Sequence, residues 1–359
     1  MVIHVLDHSF NLVGVVDDFI SVIWRPAYYD VGDFELYINA TSQAVELLQK
    51  NRYLVRDTDI QVDEAGNITY SNVMIIKNFT LTTSAEDGDY LTYTGRELKY
   101  LLHQRIVWKQ TRMSSNVEYG IRRLVTENAI EPTDSKRIIP NLVLGAEAGL
   151  SASMNKQVTG KPLDEAITDI CATYGYGWEI FIYNSVMVFV VYEGVNRSYS
   201  QSENTYVVFS DEFDNILNSE YQLQTEQYAN TTLIGGEGEG VQRIYTSIGD
   251  DFSGLERYET FTDAGSISQN KDSENEITLE EYTLLLQEAG RESLAALAIT
   301  EGFSGEVLSD FTFKYGRDFY IGDTVTVRNR YGIGKDVLVL SAIESQDETG
   351  TKLIPQFNI

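Results

Sequence analysis

A Gly-Asp turn followed by an alternating strand, near the start of the chain, constrains the fold more than any other feature. After Gly32 and Asp33, apolar side chains recur at every second position, at Phe34, Leu36 and Ile38. Because successive side chains of a strand point to opposite faces, this pattern is typical of a half-buried strand. The segment holds no nucleophile and no metal-ligand cluster. It therefore indicates architecture and not chemistry.

Short strands separated by turns occupy the chain up to about residue 93. Turn signals, such as Glu64-Ala65-Gly66-Asn67 and Glu86-Asp87-Gly88-Asp89, separate the apolar runs. This spacing predicts a small antiparallel barrel or sandwich, interrupted by a short helix from Thr41 to Lys50. The predicted strands are Val2–Leu6, Leu12–Val16, Ser21–Trp24, Phe34–Ile38, Tyr53–Arg56, Ile60–Val62, Ile68–Thr83 and Tyr90–Thr94.

Helical spacing appears between residue 95 and about residue 200, which predicts a mixed α+β insertion. One helix is expected over Arg96–Leu102, and a capping box from Ser115 to Glu118 predicts the start of a second. The third helix is the best delimited, because Pro162 suits its first turn and Gly175 suits the position after its end. The hairpin predicted after it consists of Trp178–Tyr183 and Val186–Tyr192.

Strands return after about residue 206 and predict a second β domain. A long helix interrupts them over 278–299, opened by a capping box from Thr278 to Glu281. The acidic stretch from Lys271 to Glu276 is expected to be an exposed loop. The predicted strands are Thr232–Gly235, Val241–Thr246, Arg257–Thr262, Val307–Lys314, Thr324–Asn329, Val337–Ala342 and Lys352–Gln356.

These patterns together predict a mainly β fold with an α+β insertion, in which two antiparallel β domains flank a mixed α/β domain. The predicted boundaries are 1–100 for the first β domain, with 206–230 as a candidate completion, 101–205 for the insertion and 206–359 for the second β domain. Gly322-Asp323 repeats the turn-then-strand arrangement of Gly32-Asp33, which indicates two related β domains. Because Gly-Asp is common at turns, the dipeptide alone is weak support.

Acidic residues outnumber basic ones by two to one. Fifty-four Asp and Glu against 27 Lys and Arg give a net charge of −27. Such a surface repels nucleic acid and anionic membranes, although it is compatible with a passage through which DNA slides and with basic partners. The longest apolar run, Val186–Tyr192, is too short to span a bilayer, and the region after Met1 lacks a signal-peptide layout. We therefore expect assembly in a cytoplasm, without membrane insertion.

Few residues offer catalytic or metal-binding chemistry. The chain has three histidines, His4, His8 and His103, and no zinc-site or serine-hydrolase motif. Its single cysteine, Cys171, is expected to be a small buried side chain. We therefore predict no catalytic residue, no cofactor and no metal. Paired carboxylates among the 54 acids, with 11% aromatic residues, leave a carbohydrate-binding or glycan-cleaving protein as the alternative.

A glycine-rich segment, Gly235–Gly240, lacks the lysine of a phosphate-binding loop, and its two carboxylates would repel phosphate. Glu237 and Glu239 are separated by one residue. We expect the segment to be a flexible, solvated hairpin tip; the alternative is that Glu237 and Glu239 share a strand face and line an acidic channel.

Five patches of this sequence resemble a known family. They are Trp24–Ile38; Thr94-Gly95-Arg96-Glu97-Leu98 through Ile106-Val107; Pro162-Leu163-Asp164-Glu165-Ala166 through Gly175-Tyr176-Gly177-Trp178; Asn230–Gly240 with Arg243 and Glu256-Arg257-Tyr258-Glu259; and Tyr320–Val327. In this order they resemble the tail-hub or tail-tip proteins of long-tailed phages, which are relatives of the contractile-tail baseplate hub and of the type VI secretion spike base.

The resemblance implies a homotrimer in which each chain supplies two tube-like β-barrels, so that three copies match a hexameric tail tube. It implies a structural hub that forms or closes the DNA exit channel. The implied partners are the tail tube or distal tail protein, the tape-measure protein and fibre or spike proteins. The residues that carry a structural signature in these patches are Trp24, Gly32, Phe34, Gly95, Gly175, Trp178, Gly322 and Asp323.

The resemblance places the protein in the virion tail, assembled in the host cytoplasm. Since the chain stops at Ile359 soon after the second β domain, we expect no built-in enzyme. A toxin-delivery spike base, which shares the implied fold, is a further alternative.

Overall fold

The computed structural model describes residues 1–86, 88–271, 274, 276–307 and 313–358 of the chain. Strands make up 42% and helices 21% of the structure, which confirms the prediction of a mainly β protein. Parts of three predicted segments lie outside the described residues: Asp87 of the turn at 86–89, residues 272, 273 and 275 of the acidic stretch, and residues 308–312 of the strand predicted over Val307–Lys314.

The elements of the described chain are as follows. The first twelve strands are β1 (Ile3–Leu6), β2 (Leu12–Val16), β3 (Ser21–Arg25), β4 (Asp33–Asn39), β5 (Tyr53–Arg56), β6 (Ile60–Val62), β7 (Ile68–Tyr70), β8 (Met74–Ser84), β9 (Gly88–Glu97), β10 (Thr111–Asn116), β11 (Leu142–Leu144) and β12 (Ser153–Val158). The others are β13 (Gly177–Tyr183), β14 (Val186–Tyr192), β15 (Val208–Ser210), β16 (Ile216–Gln224), β17 (Thr231–Gly235), β18 (Tyr245–Ile248), β19 (Glu259–Asp263), β20 (Thr300–Val307), β21 (Thr324–Arg328), β22 (Gly334–Asp347) and β23 (Gly350–Asn358). The α-helices are α1 (Ser42–Leu47), α2 (Val117–Val125), α3 (Leu163–Tyr174) and α4 (Leu279–Ala296).

One sheet of thirteen strands runs through both halves of the chain. Its order is β16-β20-β23-β22-β3-β4-β9-β8-β5-β1-β2, with β21 attached to β22 and β15 to β21. The halves join where β22 pairs with β3, with Glu344 opposite Trp24. The strand path is open, with β2 and β16 at its ends, so the described residues form no closed barrel. Strand β16, which lies in the candidate completion 206–230, pairs with β20 of the second half.

A separate five-stranded sheet has the order β11-β14-β13-β7-β6, in which β6 and β7 come from the first half of the chain and β11, β13 and β14 from the insertion. Helix α3 begins after Pro162 and ends at Gly175, whose φ of 71° gives the left-handed cap. The hairpin of β13 and β14 turns at Asn184 and Ser185, both with positive φ. These predictions from local sequence signals are confirmed. Helices α2 and α3 pack against this sheet in a shared core that includes Ile121, Ile167 and Trp178.

The capping box predicted from Ser115 to Glu118 is wrong. Asn116 is the N-cap of α2 and accepts the Tyr119 N–H at 3.2 Å. The Glu118 carboxylate instead accepts three backbone N–H groups, those of Ala148, Gly149 and Leu150, at 2.7, 2.9 and 3.1 Å. Three donors from a distant loop stabilise a buried carboxylate better than the one donor that a capping box offers.

The helix predicted over Arg96–Leu102 is also displaced. Strand β9 continues through Arg96 and Glu97, which pair with Ile75 and Met74 of β8, and a 3₁₀ helix follows over Leu98–Gln104. Sheet pairing on both sides of β9 overrides the helical spacing.

A small unit of one helix and three strands lies in the second half. The sheet order is β18-β17-β19, and Tyr282 and Leu286 of α4 pack on Ile234. Helix α4 carries the predicted capping box, because the Thr278 hydroxyl accepts the Glu281 N–H while the Glu281 carboxylate accepts the Thr278 N–H. Strand β18 starts at Tyr245, four residues later than predicted, after a 3₁₀ turn. Of the described helices, none has the length and apolar character needed to cross a membrane.

Candidate functional site at the junction of the halves

A polar concavity lies where the first half, the insertion and the second half meet, and we call it the junction. Its volume is about 470 Å³. Residues that line it include Ala27, Asp59, Asn72, Glu97, Trp178, Glu179, Tyr192, Val195, Arg197, Tyr315, Tyr320 and Asp323. Since these residues are spread over almost 300 positions of the sequence, the junction exists only in the folded chain.

Tyr28 is 1% exposed and lies beside the junction, where its ring packs on that of Tyr192 with 5.3 Å between the centroids. Its phenol oxygen lies 3.2 Å from the Gly175 carbonyl oxygen, to which it donates, and accepts the Gly194 N–H at 3.2 Å. Burial raises the pKa of Tyr28 to about 12, because the phenolate form loses its hydration. This neutral hydroxyl therefore ties the end of α3 to the chain that follows β14.

Gly322 fits against the ring of Tyr28. A Cβ at Gly322 would lie 2.4 Å from Tyr28 Cε2, and the φ of Gly322 is +92°. Both the space and the backbone conformation at this position require glycine.

Asp323 fixes the loop next to it. Its carboxylate accepts the Val195 N–H at 2.8 Å, the Arg197 Nε–H at 2.7 Å and the Tyr320 N–H at 3.0 Å. The side chain is 3% exposed, so a buried charge is balanced by one cation and two backbone donors. Gly322 and Asp323 together hold the start of β21 against the insertion.

A buried arginine of the first half, Arg56, forms an ion pair with a glutamate of the second half. Arg56 is 2% exposed and pairs with Asp59 through Nε and with Glu344 through Nη1, the latter at 2.7 Å. Its guanidinium carbon lies 5.5 Å from the Trp24 ring centroid. Burial opposes the charge, but the Asp59 carboxylate and then Glu344 outweigh it and raise the pKa of Arg56. The Arg56–Glu344 pair therefore adds to the β3–β22 pairing that joins the halves.

Glu97 and Lys99 form a second buried pair. Glu97 Oε2 lies 3.2 Å from Lys99 Nζ and accepts the Gly32 N–H at 2.9 Å. Lys99 also donates to the Ala27 carbonyl oxygen at 2.6 Å and lies 5.2 Å from the Trp178 ring centroid. Burial raises the pKa of Glu97, and Lys99 opposes that rise. The pair explains why Gly32 and Trp178, from different parts of the sequence, meet at one place.

Glu179 is a carboxyl of the junction whose pKa is raised far above the ordinary value. Burial raises its pKa to about 7; the charge of Glu97 adds to the shift and that of Lys99 opposes it. This group changes charge near neutral pH, where an ordinary glutamate stays ionised.

The arrangement holds the parts of the chain together. Asp59, Glu97 and Asp323 are each engaged by a cation, and two of them also accept backbone N–H groups. Within the described part of the chain, no group of three or more His, Cys, Asp or Glu side chains is placed to hold a metal ion. The geometry is that of a structural joint between three parts of one chain.

The structure divides the eight signature residues between two places. Trp178 and Asp323 line the junction, and three glycines contact residues at or beside it: Gly32 contacts Glu97, and Gly175 and Gly322 contact Tyr28. The others pack in the neighbouring core of the first half, where the rings of Trp24 and Phe34 lie 5.7 Å apart and a Cβ at Gly95 would lie 1.9 Å from the Ile75 carbonyl oxygen. Sequence reasoning missed Tyr28 and Arg56. Tyr28 lies within Trp24–Ile38, one of the five patches that resemble the phage tail family, so this signal could have found it. The sequence around Arg56 contains no signal that its side chain is buried.

The glycine-rich segment is a loop after β17, and both of its acids are exposed. The Glu237 carboxylate accepts the Gln269 N–H at 3.1 Å, and the Glu237 N–H donates to the Tyr282 hydroxyl at 2.6 Å. A role of Glu237 and Glu239 in lining a channel stays a prediction about an assembly.

Cys171 and His103, which the sequence offered as reactive side chains, both make packing contacts within the fold. Cys171 is fully buried, as predicted, and burial raises the pKa of its thiol. His103 stacks on Tyr100 at 4.7 Å between centroids, and its Nδ1 lies 3.0 Å from the Asp164 carboxylate.

Comparison with known proteins places the chain in a family. The Siphovirus ReqiPepy6 Gp37-like protein family matches over residues 2–357. The chain belongs to this family of siphovirus tail proteins. Membership confirms the resemblance to phage tail proteins and makes the chain a component of a virion tail. No curated protein sequence is significantly similar to this member of the family.

Three solved structures with a similar fold are tail proteins. The tail protein from Neisseria meningitidis MC58 is 15% identical, with a TM-score of 0.60 over 99% of this chain and 96% of that one. The 43 kDa tail protein of prophage MuSo2 from Shewanella oneidensis is 11% identical, with a TM-score of 0.60 over 99% and 98%. Prophage tail protein gp18 from Listeria monocytogenes EGD-e is 12% identical, with a TM-score of 0.53 over 99% and 94%. The TM-scores and the near-complete coverage show a shared fold despite the low sequence identities.

Proposed function

We propose that this siphovirus tail protein is a structural hub at the distal end of the tail. Three copies form a ring that adapts the hexameric tail tube to the tail tip or spike and forms or closes the DNA exit channel. The observation that carries the proposal is the fold, which matches tail proteins over 99% of this chain. The partners of the ring are the tail tube or distal tail protein, the tape-measure protein and fibre or spike proteins.

The open thirteen-stranded sheet supports assembly with other copies. Its end strands, β2 and β16, each leave one edge without a neighbouring strand in the described chain. Leu12 and Val15 of β2 are 54% and 46% exposed, and Leu217 and Leu223 of β16 are 43% and 53% exposed. Apolar residues on an unpaired edge favour pairing with another chain.

The charge supports a conduit. Three copies carry −81, three times the −27 of one chain. Acids that face the bore, with Glu237 and Glu239 as candidates, repel the phosphates of passing DNA and reduce its adhesion. The junction supports the same role, because a subunit that holds a tube must keep its two halves fixed relative to each other.

Electron-microscopy class averages of the purified protein test the proposal. We expect threefold rings with a central opening or plug. Val15→Lys should weaken the rings by placing a charge at the edge of β2, whereas Val241→Lys, at a fully exposed turn residue, should leave them unchanged. Monomers at every concentration, alone and with the tail-tube protein, would contradict the proposal. Saturable binding of cell-wall polysaccharide would instead favour the carbohydrate alternative.

A further inference from the structure

We propose that a basic concavity on the first half of the chain binds carboxylate side chains of a second copy. We call it the basic concavity; it has a volume of about 680 Å³. It is lined by Lys50, Asn51, Lys77, Asn78, Arg96 and Tyr100. Three of these residues are cations and none is an acid, in a chain where acids are twice as frequent as bases. This inference rests on the proposed trimer. It specifies one contact between subunits, in which basic side chains of one copy bind carboxylates of another.

A β-bulge directs Lys77 into the concavity. In the pairing of β8 with β9, Ile76 lies opposite Gly95 and Asn78 lies opposite Thr94, so Lys77 is the extra residue of β8. Bulges break the alternation of a strand and re-aim a side chain, and they are frequent next to functional sites. The ammonium group of Lys77 thereby comes to lie 5.4 Å from the Tyr100 ring centroid.

The two lysines of the concavity have no carboxylate partner within the described part of the chain, and Arg96 shares its partner with another arginine. Lys77 Nζ donates to Asn51 Oδ1 at 3.3 Å, and within the described part of the chain neither Lys77 nor Lys50 forms an ion pair. Arg96 Nη1 lies 3.8 Å from Asp33, whose carboxylate Arg25 already contacts at 3.1 Å.

The charged form of Lys77 is destabilised in the basic concavity. Burial lowers the pKa of Lys77, and the neighbouring charge of Lys50 lowers it further. A half-buried ammonium beside a like charge is unfavourable unless an anion binds there. The donors that line the concavity, two ammonium groups, a guanidinium and two amides, suit an oxyanion.

A second copy supplies that anion most readily. Two chains of charge −27 repel each other, so a contact between them is favourable where local cations meet the partner's carboxylates. Duplex DNA fits less well, because the net charge repels phosphate and three cations displace few counterions. The occupant we assign is therefore an acidic segment of a neighbouring subunit.

The first test compares subunit association in two double variants of the full chain. Lys50→Gln with Lys77→Gln removes two charges from the concavity, and Lys109→Gln with Lys136→Gln removes two exposed charges elsewhere. Sedimentation velocity at low and at physiological ionic strength should give association weakened by about tenfold or more for the first variant, with a shallower salt dependence. The control should stay within about twofold of wild type.

A second measurement needs no variant. Light and heavy isotopic copies are mixed, allowed to assemble and treated with a carbodiimide, which joins a lysine to a contacting carboxylate. We expect light–heavy cross-links at Lys50 or Lys77. Rings that form without such cross-links and associate normally in the Lys50/Lys77 variant would overturn this inference and leave the trimer standing. A wild-type protein that never associates would overturn both. Binding of duplex DNA that the variant loses would reassign the concavity to phosphate.

Discussion

A Cβ on Gly322 would lie 2.4 Å from Cε2 of Tyr28, so these two residues from opposite halves of the chain share one space. Tyr28 follows β3 of the first half, and Gly322 precedes β21 of the second. The tyrosine ring fills the volume that any other residue at 322 would need. Close packing of this kind fixes the relative position of the halves, because interiors at native density leave little room for adjustment.

Gly322→Ala should therefore destabilise the protein by about 2–4 kcal/mol, from the strained positive φ and the clash with Tyr28. The measurement is the free energy of unfolding from urea titration. Gly332→Ala is the matched control, because Gly332 also has positive φ, +81°, but has no atom within 4 Å of its Cβ position. We expect about 1 kcal/mol for the control. Equal losses in the two variants would mean that Tyr28 can move aside.

Tyr28→Phe should cost about 1–2 kcal/mol, because it leaves the partly buried Gly194 N–H without its acceptor and removes the hydroxyl's own bond to the Gly175 carbonyl oxygen. Thermal unfolding followed by circular dichroism measures the loss. Tyr331→Phe removes the same hydroxyl from a side chain that is 84% exposed and should change nothing measurable. A Tyr28→Phe protein as stable as wild type would show that the hydroxyl contributes no net stability.

Arg56→Met should destabilise by about 3–5 kcal/mol, because Asp59 and Glu344 lose their buried cation. The urea midpoint of unfolding gives the magnitude. Arg330→Met breaks an ion pair of an arginine whose side chain is 70% exposed, and should change stability by less than about 0.5 kcal/mol. A small effect at Arg56 would mean that the β3–β22 pairing alone joins the halves.

Glu179 should make stability fall as pH rises toward neutrality. Burial raises its folded pKa to about 7, above the ordinary value of 4.5, so the folded state holds a proton that the unfolded state has already released. This contribution is fully present below pH 4.5 and is lost as pH rises through about 7. Thermal midpoints across this range should show wild type losing stability relative to Glu179→Gln. The same substitution at exposed Glu226 is the control, and parallel profiles for wild type and Glu179→Gln would contradict the prediction.

Local sequence signals predicted the elements whose ends are set by neighbouring residues. Pro162 and Gly175 delimit α3, Thr278 and Glu281 cap α4, and Asn184-Ser185 turns the hairpin of β13 and β14. Each of these depends on a φ preference or on a hydrogen bond spanning a few residues, so the sequence specifies it directly. The Glu118 capping box failed because its carboxylate found donors about 30 residues away.

The sequence by itself determined the mainly β class, the acidic charge and the family. These follow from the alternation of apolar and polar residues, from the composition and from the order of the motifs, all of which can be read from the sequence. Only the tertiary structure decided that β22 pairs with β3 in one open sheet, that Arg56 reaches Glu344 across 288 positions, and that Tyr28 lies against Gly322. Such contacts depend on which surfaces are buried against each other. Local sequence patterns do not reveal these long-range contacts. The burial and the charge compensation that stabilise them arise only when segments distant in sequence come together.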